Sequence, residues 1–273
     1  MRYHFLSTCA LALVMTTLAW KTYGQNFNAS GGRALGMAAT SILLNDEYAI
    51  FNNPGAVKAE DLTFIAAYNT QYLDLGLNDA RVGLVVPLAN ITTGIGVLYF
   101  GDDLFNQIRV SALIADEFGF ARVAMRGNYH QFYVQNYGYK SALTLDIGGV
   151  FSLSEQLSLA MVFQNITRSK LISETDNPLN SVVQLGLSYH PIKKFRIDAQ
   201  IDKSIEESLT FRLGLEYMAT DLIAIRTGFS PASLAALGLG FKWKKITLDI
   251  AGQYHQQLGY SGIISLKISR VKK

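Results

Sequence analysis

The chain has 273 residues, of which 49% are hydrophobic and only 16% charged, with a net charge of +3. Soluble domains carry about 25% charged residues, so charge is scarce here, and no Lys/Arg block longer than Lys272-Lys273 argues for a nucleic-acid partner. The single cysteine, Cys9, lies near the N-terminus, which leaves the rest of the chain without disulfide or thiol chemistry.

Residues 1–24 read as a secretory signal peptide. Arg2 supplies the positive start, Phe5 to Trp20 is apolar apart from Ser and Thr, and cleavage is expected after Gly24. A lipid-modified Cys9 fits less well, because Thr8 is large for the preceding position and the apolar run continues beyond Cys9. No later apolar run reaches about 18 residues, so no membrane-spanning helix is expected.

Residues 25–61 form a segment that does not alternate as a strand would. Its first half is built of small residues, among them Gly31, Gly32, Ala34, Gly36, Ala38 and Ala39. Its second half predicts one short helix, with Asp46 as cap, Glu47 at the positive end and a stop before Pro54 and Gly55. Leu43, Leu44, Ile50 and Phe51 need burial, which suggests a plug.

Residues 62–273 repeat a different pattern. Ile197, Ala199 and Ile201 alternate with Arg196, Asp198, Gln200 and Asp202; Phe211, Leu213 and Leu215 alternate with Arg212, Gly214 and Glu216. This period of two predicts strands at 62–72, 79–88, 91–100, 106–115, 119–132, 141–153, 156–166, 181–190, 194–203, 208–218, 222–229, 233–243, 246–254 and 259–270. Most have the length that a tilted strand needs to cross a bilayer, and the count is even. With a periplasmic N-terminus, the links sort into short periplasmic turns and longer outer links, the longest from Thr167 to Asn180.

The expected fold is therefore all-β: a 14-stranded antiparallel transmembrane β-barrel with a short N-terminal plug-like segment. In lipid the apolar face must point outward and closure must pair every backbone group. Tyr68, Tyr72, Tyr99, Phe100, Tyr189, Tyr217, Trp243, Tyr254 and Tyr260 near strand ends suit aromatic girdles. The alternative, a soluble two-sheet protein, has no reason to sort its links by length.

The polar face then lines the lumen and carries Arg109, Arg122, Arg126, Asp146, Arg196, Asp198, Arg212, Glu216, Arg226 and Asp249. These charges read as a self-satisfying network. Alternatively, arginines from the group Arg109, Arg122, Arg212 and Arg226 hold the plug through Asp46 and Glu47, or line a path for an anionic solute. His130, His190 and His255 lie in different segments without metal-ligand spacing, and no nucleophile motif is present. Asp102-Asp103, Asp116-Glu117 and Glu206-Glu207 read as solvated link charges. Neither catalytic residues nor a cofactor or metal site is expected.

The stretch Gly32-Arg33-Ala34-Leu35-Gly36-Met37-Ala38-Ala39, then Asn45-Asp46-Glu47-Tyr48-Ala49, then Asn53-Pro54-Gly55 resembles the N-terminal signature of PorV/PorQ-type outer-membrane proteins, which are related to FadL-like barrels. Tyr254 to Ser261 is similar to that family's last hairpin. The resemblance implies a 14-stranded barrel in a Bacteroidetes-type outer membrane, associated with type IX protein secretion. The functional expectation is thus a non-enzymatic barrel whose partners are outer-membrane lipid and secretion-system components or secreted proteins. The second expectation is a FadL-like passive transporter of a hydrophobic ligand. A barrel lipase or protease is the third class, and no Ser/His/Asp or Asp/His set assembles for it.

Overall fold

The computed structural model describes residues 29–89, 91–170, 179–205, 208–231 and 233–270. The predicted signal peptide, the middle of the Thr167–Asn180 link, Glu206-Glu207 and the last three residues lie outside them.

Fourteen strands follow one another around a closed barrel. They are β1 (Thr63–Gln71), β2 (Leu77–Leu88), β3 (Ile91–Gly101), β4 (Phe105–Phe118), β5 (Ala121–Val134), β6 (Gly138–Ser152) and β7 (Leu157–Gln164), then β8 (Val182–Ile192), β9 (Phe195–Ser204), β10 (Thr210–Met218), β11 (Ile223–Phe229), β12 (Ser233–Trp243), β13 (Ile246–His255) and β14 (Gly259–Ser269). Each pairs antiparallel with its neighbours in sequence. The ring closes where Thr63 to Thr70 of β1 register with Ser269 to Gly262 of β14. The predicted segments coincide with these strands, differing at the ends. The largest differences lengthen the β4–β5–β6 hairpins: 106–115 extends to Phe118, and 141–153 starts at Gly138.

The alternation decides which side chains meet which solvent. Phe64, Tyr68, Val82, Leu84, Ile95, Val97, Leu237, Leu239, Ile250 and Ile264 are exposed on the outer surface. So many large apolar side chains exposed on one surface are unusual for a soluble monomer, and they fit lipid. Two residues expected in the aromatic girdles are not there. Phe100 sits at an even position of β3, which faces the lumen, and Tyr72 folds against His255 with ring centroids 5.7 Å apart.

The core of the molecule lies inside the barrel. Leu35, Ile42, Leu43, Tyr48, Ile50, Phe51 and Val57 of the N-terminal segment pack with lumen-facing Ile65, Val85, Val150 and Val162. Full burial of such a side chain contributes about 1.5–3 kcal/mol, so apolar packing is a main anchor of this plug.

The plug's local structure differs from the prediction of one helix after Asp46. The α-helix, α1, is Gly32–Gly36 in the small-residue half. The second half makes two short 3-10 turns, Glu47–Ile50 and Pro54–Ala56. Asp46 precedes the first turn but makes no capping hydrogen bond, because its carboxylate is drawn to Arg33. Asn53 is extended, as a residue before proline should be, and its side-chain oxygen accepts from the Gly55 N–H to cap the second turn.

Candidate functional site: a plugged lumen and a vestibule at one end of the barrel

An irregular segment inside a barrel must find donors for carbonyls that no helix or sheet satisfies. Strand alternation supplies them as arginines, each next to a carboxylate at a neighbouring lumen position. Arg126 and Asp146 are directly opposite across β5 and β6. Arg126 donates Nε and Nη2 to Asp146 Oδ2 at 2.9 and 2.7 Å, and Nη1 to the carbonyls of Ile50 and Asn52 at 2.7 and 3.3 Å. Arg196 binds Asp198, two residues along the same strand face, and donates to the Leu43 carbonyl at 2.6 Å. Arg212 pairs with Asp202 at 2.7 Å and reaches the Ala38 carbonyl at 3.4 Å. Arg81, 2.9 Å from Asp79, donates to the Ala29 carbonyl and the Ser30 hydroxyl. Arg226 spans Glu216 and Asp249 at 2.6 Å each. In four of these five sets, the carboxylate offsets the buried charge while a second nitrogen holds the plug backbone.

Other contacts complete the seating. Gln200 Oε1 accepts from the Ser41 and Ile42 N–H groups. The Gly32 N–H donates to Ser265 Oγ at 2.8 Å. Asn52 exchanges two hydrogen bonds with the Ser30 backbone, tying the plug's ends together. Small lumen residues give room: a Cβ on Gly36 would lie 2.8 Å from the Gly238 Cα, and one on Gly55 2.6 Å from Gly148 and Gly149.

The expected pairing of Asp46 and Glu47 with Arg109, Arg122, Arg212 or Arg226 is not what the structure contains. Asp46 pairs with the plug's own Arg33 at 3.3 Å, and Arg33 in turn binds Glu216 bidentately at 2.6 and 2.8 Å. Glu47 pairs with Lys267 at 3.1 Å. Burial pushes the Glu47 carboxyl above its usual range, against the pull of Lys267. Arg212 and Arg226 already have strand carboxylates, and Arg122 pairs with Glu117 at the rim. Met37 is wholly buried, and its backbone fills the space beside Gly214 and Gly228.

Asp79, Arg81, Asp202 and Lys267 escaped the sequence list of lumen charges. The signal was available: Asp79 and Arg81 alternate with Ala80, Val82 and Leu84, and Asp202 continues the series Arg196, Asp198, Gln200.

At the end of the barrel that carries the β5–β6 turn lies an open cavity of about 290 Å³, lined by residues of β1 to β8. Phe100, Phe105, Phe132 and Leu98 form apolar parts of its wall; Arg81, Arg109, Gln107, Asn128 and His130 form polar parts. His130 stacks parallel to Phe132 and binds Gln107 and Thr144. The wall beside it is uneven. β7 pairs with β6 only from Ile147 to Ser152, so the outer part of β6 runs beyond that ladder. Among the described residues, no group of three or more His, Cys, Asp or Glu side chains is placed to hold a metal ion.

The chain is thus a closed 14-stranded antiparallel barrel with an apolar exterior and an inward N-terminal segment. Three solved structures share it over nearly their whole length. The Pseudomonas putida toluene transporter TodX aligns with a TM-score of 0.71 at 11% identity, covering 91% of this chain and 100% of that one. The CymD monoaromatic hydrocarbon channel aligns at 0.66 and 10%, covering 91% and 100%. A Pseudomonas aeruginosa FadL homologue aligns at 0.62 and 12%, covering 88% and 98%. At such identity the likeness is one of fold. No protein-family profile and no curated protein sequence matches the chain.

Proposed function

We propose that this chain is a passive channel of the outer membrane that admits small hydrophobic molecules, exported there by the signal peptide expected at residues 1–24. The observation that carries the reading is the vestibule, an open cavity at one end of the barrel with Phe100, Phe105 and Phe132 in its wall. The charge-paired lumen opposes a continuous apolar tunnel, so the reading rests on the vestibule. The names of the structural neighbours, a toluene transporter and a monoaromatic hydrocarbon channel, supply the substrate class. Expressing the chain in a Gram-negative host without such channels should raise the initial rate of radiolabelled toluene uptake. An unchanged rate, with the barrel present and folded in the outer membrane, would refute the reading.

A second reading rests on the Gly32–Ala39 and Asn53-Pro54-Gly55 resemblance to PorV/PorQ-type proteins: a part in type IX protein secretion in a Bacteroidetes-type envelope. The plug residues that carry this resemblance are those packed against the wall, which accounts for them equally well as seating. Native pull-down from the outer membrane separates the two, since co-purifying secretion components would favour the second.

A further inference from the structure

Arg109 stands apart from the other lumen arginines. Five of them, Arg81, Arg126, Arg196, Arg212 and Arg226, each have a strand carboxylate within 2.6–2.9 Å. Among the described residues Arg109 has none, and its buried Nε has no hydrogen-bond partner. Arg81, 1% exposed, also carries an Nη2 without a partner. Both residues line the vestibule.

Register explains their proximity. Arg81 lies opposite Leu98, Leu98 opposite Arg109, and Arg109 opposite His130, so these four lumen residues form one row across β2 to β5. One step outward, Asp79, Phe100, Gln107 and Phe132 form the next row. Strands lie about 4.8 Å apart, so Arg81 and Arg109 are separated by about two strand spacings, with an apolar side chain between them and aromatic rings directly outward. A buried guanidinium donor without an acceptor is costly in the empty site and is relieved by an anion.

We propose that the vestibule binds a compact organic anion, an aromatic carboxylate, with its ring against Leu98, Phe100 and Phe132 and its carboxylate on Arg109. The proposal rests on the channel reading above and adds to its substrate class, beside plain hydrocarbons, acids with an apolar body. The cavity, about 290 Å³, is at the small end for ligand pockets, which favours one ring over a long chain. Arg109 binds and orients the anion; Arg81, already holding the plug, adds a second positive charge in the wall.

The test is calorimetric titration of the full-length folded barrel in detergent at neutral pH with two probes of similar size, benzoate and benzyl alcohol. The wild type should prefer benzoate. In Arg109→Gln that preference should collapse by about tenfold or more, the loss of one charged hydrogen bond, and Arg109→Lys should recover part of it. Heat-modifiability on gels checks that each variant is folded. Equal affinity for the two probes in the wild type, or an unaltered preference in Arg109→Gln, would overturn the proposal. So would displacement of benzoate by equimolar chloride or phosphate, which would mean an anion site indifferent to the ring. Toluene uptake that persists alongside such a result would leave the channel reading standing.

Discussion

At the residue scale, the lumen works by giving each buried arginine two tasks. Arg126 is the clearest case, with Asp146 on one side and the Ile50 and Asn52 carbonyls on the other. Arg126→Gln leaves a buried carboxylate unmatched and should destabilise the folded protein by about 3–5 kcal/mol. Arg122→Gln breaks a pair whose Glu117 side chain is 54% exposed, and should change stability by about 0–1 kcal/mol. Denaturant titration of both variants measures this; equal losses would mean that the burial contrast does not govern these pairs. The arginines were legible in the sequence because alternation put them on the polar face. Several carboxylate partners were legible too, since Asp146, Asp198, Glu216 and Asp249 stand on the same face. The plug carbonyls that the arginines also hold were not, because backbone carbonyls belong to every residue and leave no mark in composition. Asp79 and Arg81 were visible in the alternation, at the start of their predicted strand.

At the element scale, the strands were the most legible part. Period-2 alternation survives because one face meets lipid and the other a packed lumen, so a slip by one residue would invert both. The plug was less legible. Its chain follows the shape of the cavity, and the only α-helix among the described residues is Gly32–Gly36, whose Arg33, Ala34 and Leu35 are good helix formers set between two glycines. Close approach explains the glycines there. A side chain on Gly238 would meet the Gly36 Cα at 2.9 Å, whereas one on Gly127 would meet nothing within 4 Å. Gly238→Val should therefore expose the plug to limited proteolysis while the barrel stays heat-modifiable, and Gly127→Ala should behave as wild type. Equal protection of the plug in both would show that α1 does not depend on that contact.

At the scale of the whole molecule, orientation and closure are the claims to test. The mature chain expected after cleavage has no cysteine, so single cysteines report topology cleanly. Tyr137, 81% exposed in the β5–β6 turn, and Lys193, in the β8–β9 turn, lie at opposite ends of the barrel. A membrane-impermeant thiol reagent should label Tyr137→Cys on intact cells and Lys193→Cys only after the outer membrane is opened. The reverse pattern would invert the topology. The deeper claim is that the N-terminal segment closes the lumen, held by apolar packing and by arginines paired to strand carboxylates. Ion conductance across a planar bilayer tests it most directly, with folding checked by heat-modifiability. The wild-type barrel should be nearly silent, and a variant carrying Arg126→Ala and Arg196→Ala, which frees the plug carbonyls at Ile50, Asn52 and Leu43, should show open-channel events. Steady conductance in the wild type, or silence in a folded double variant, would contradict the account.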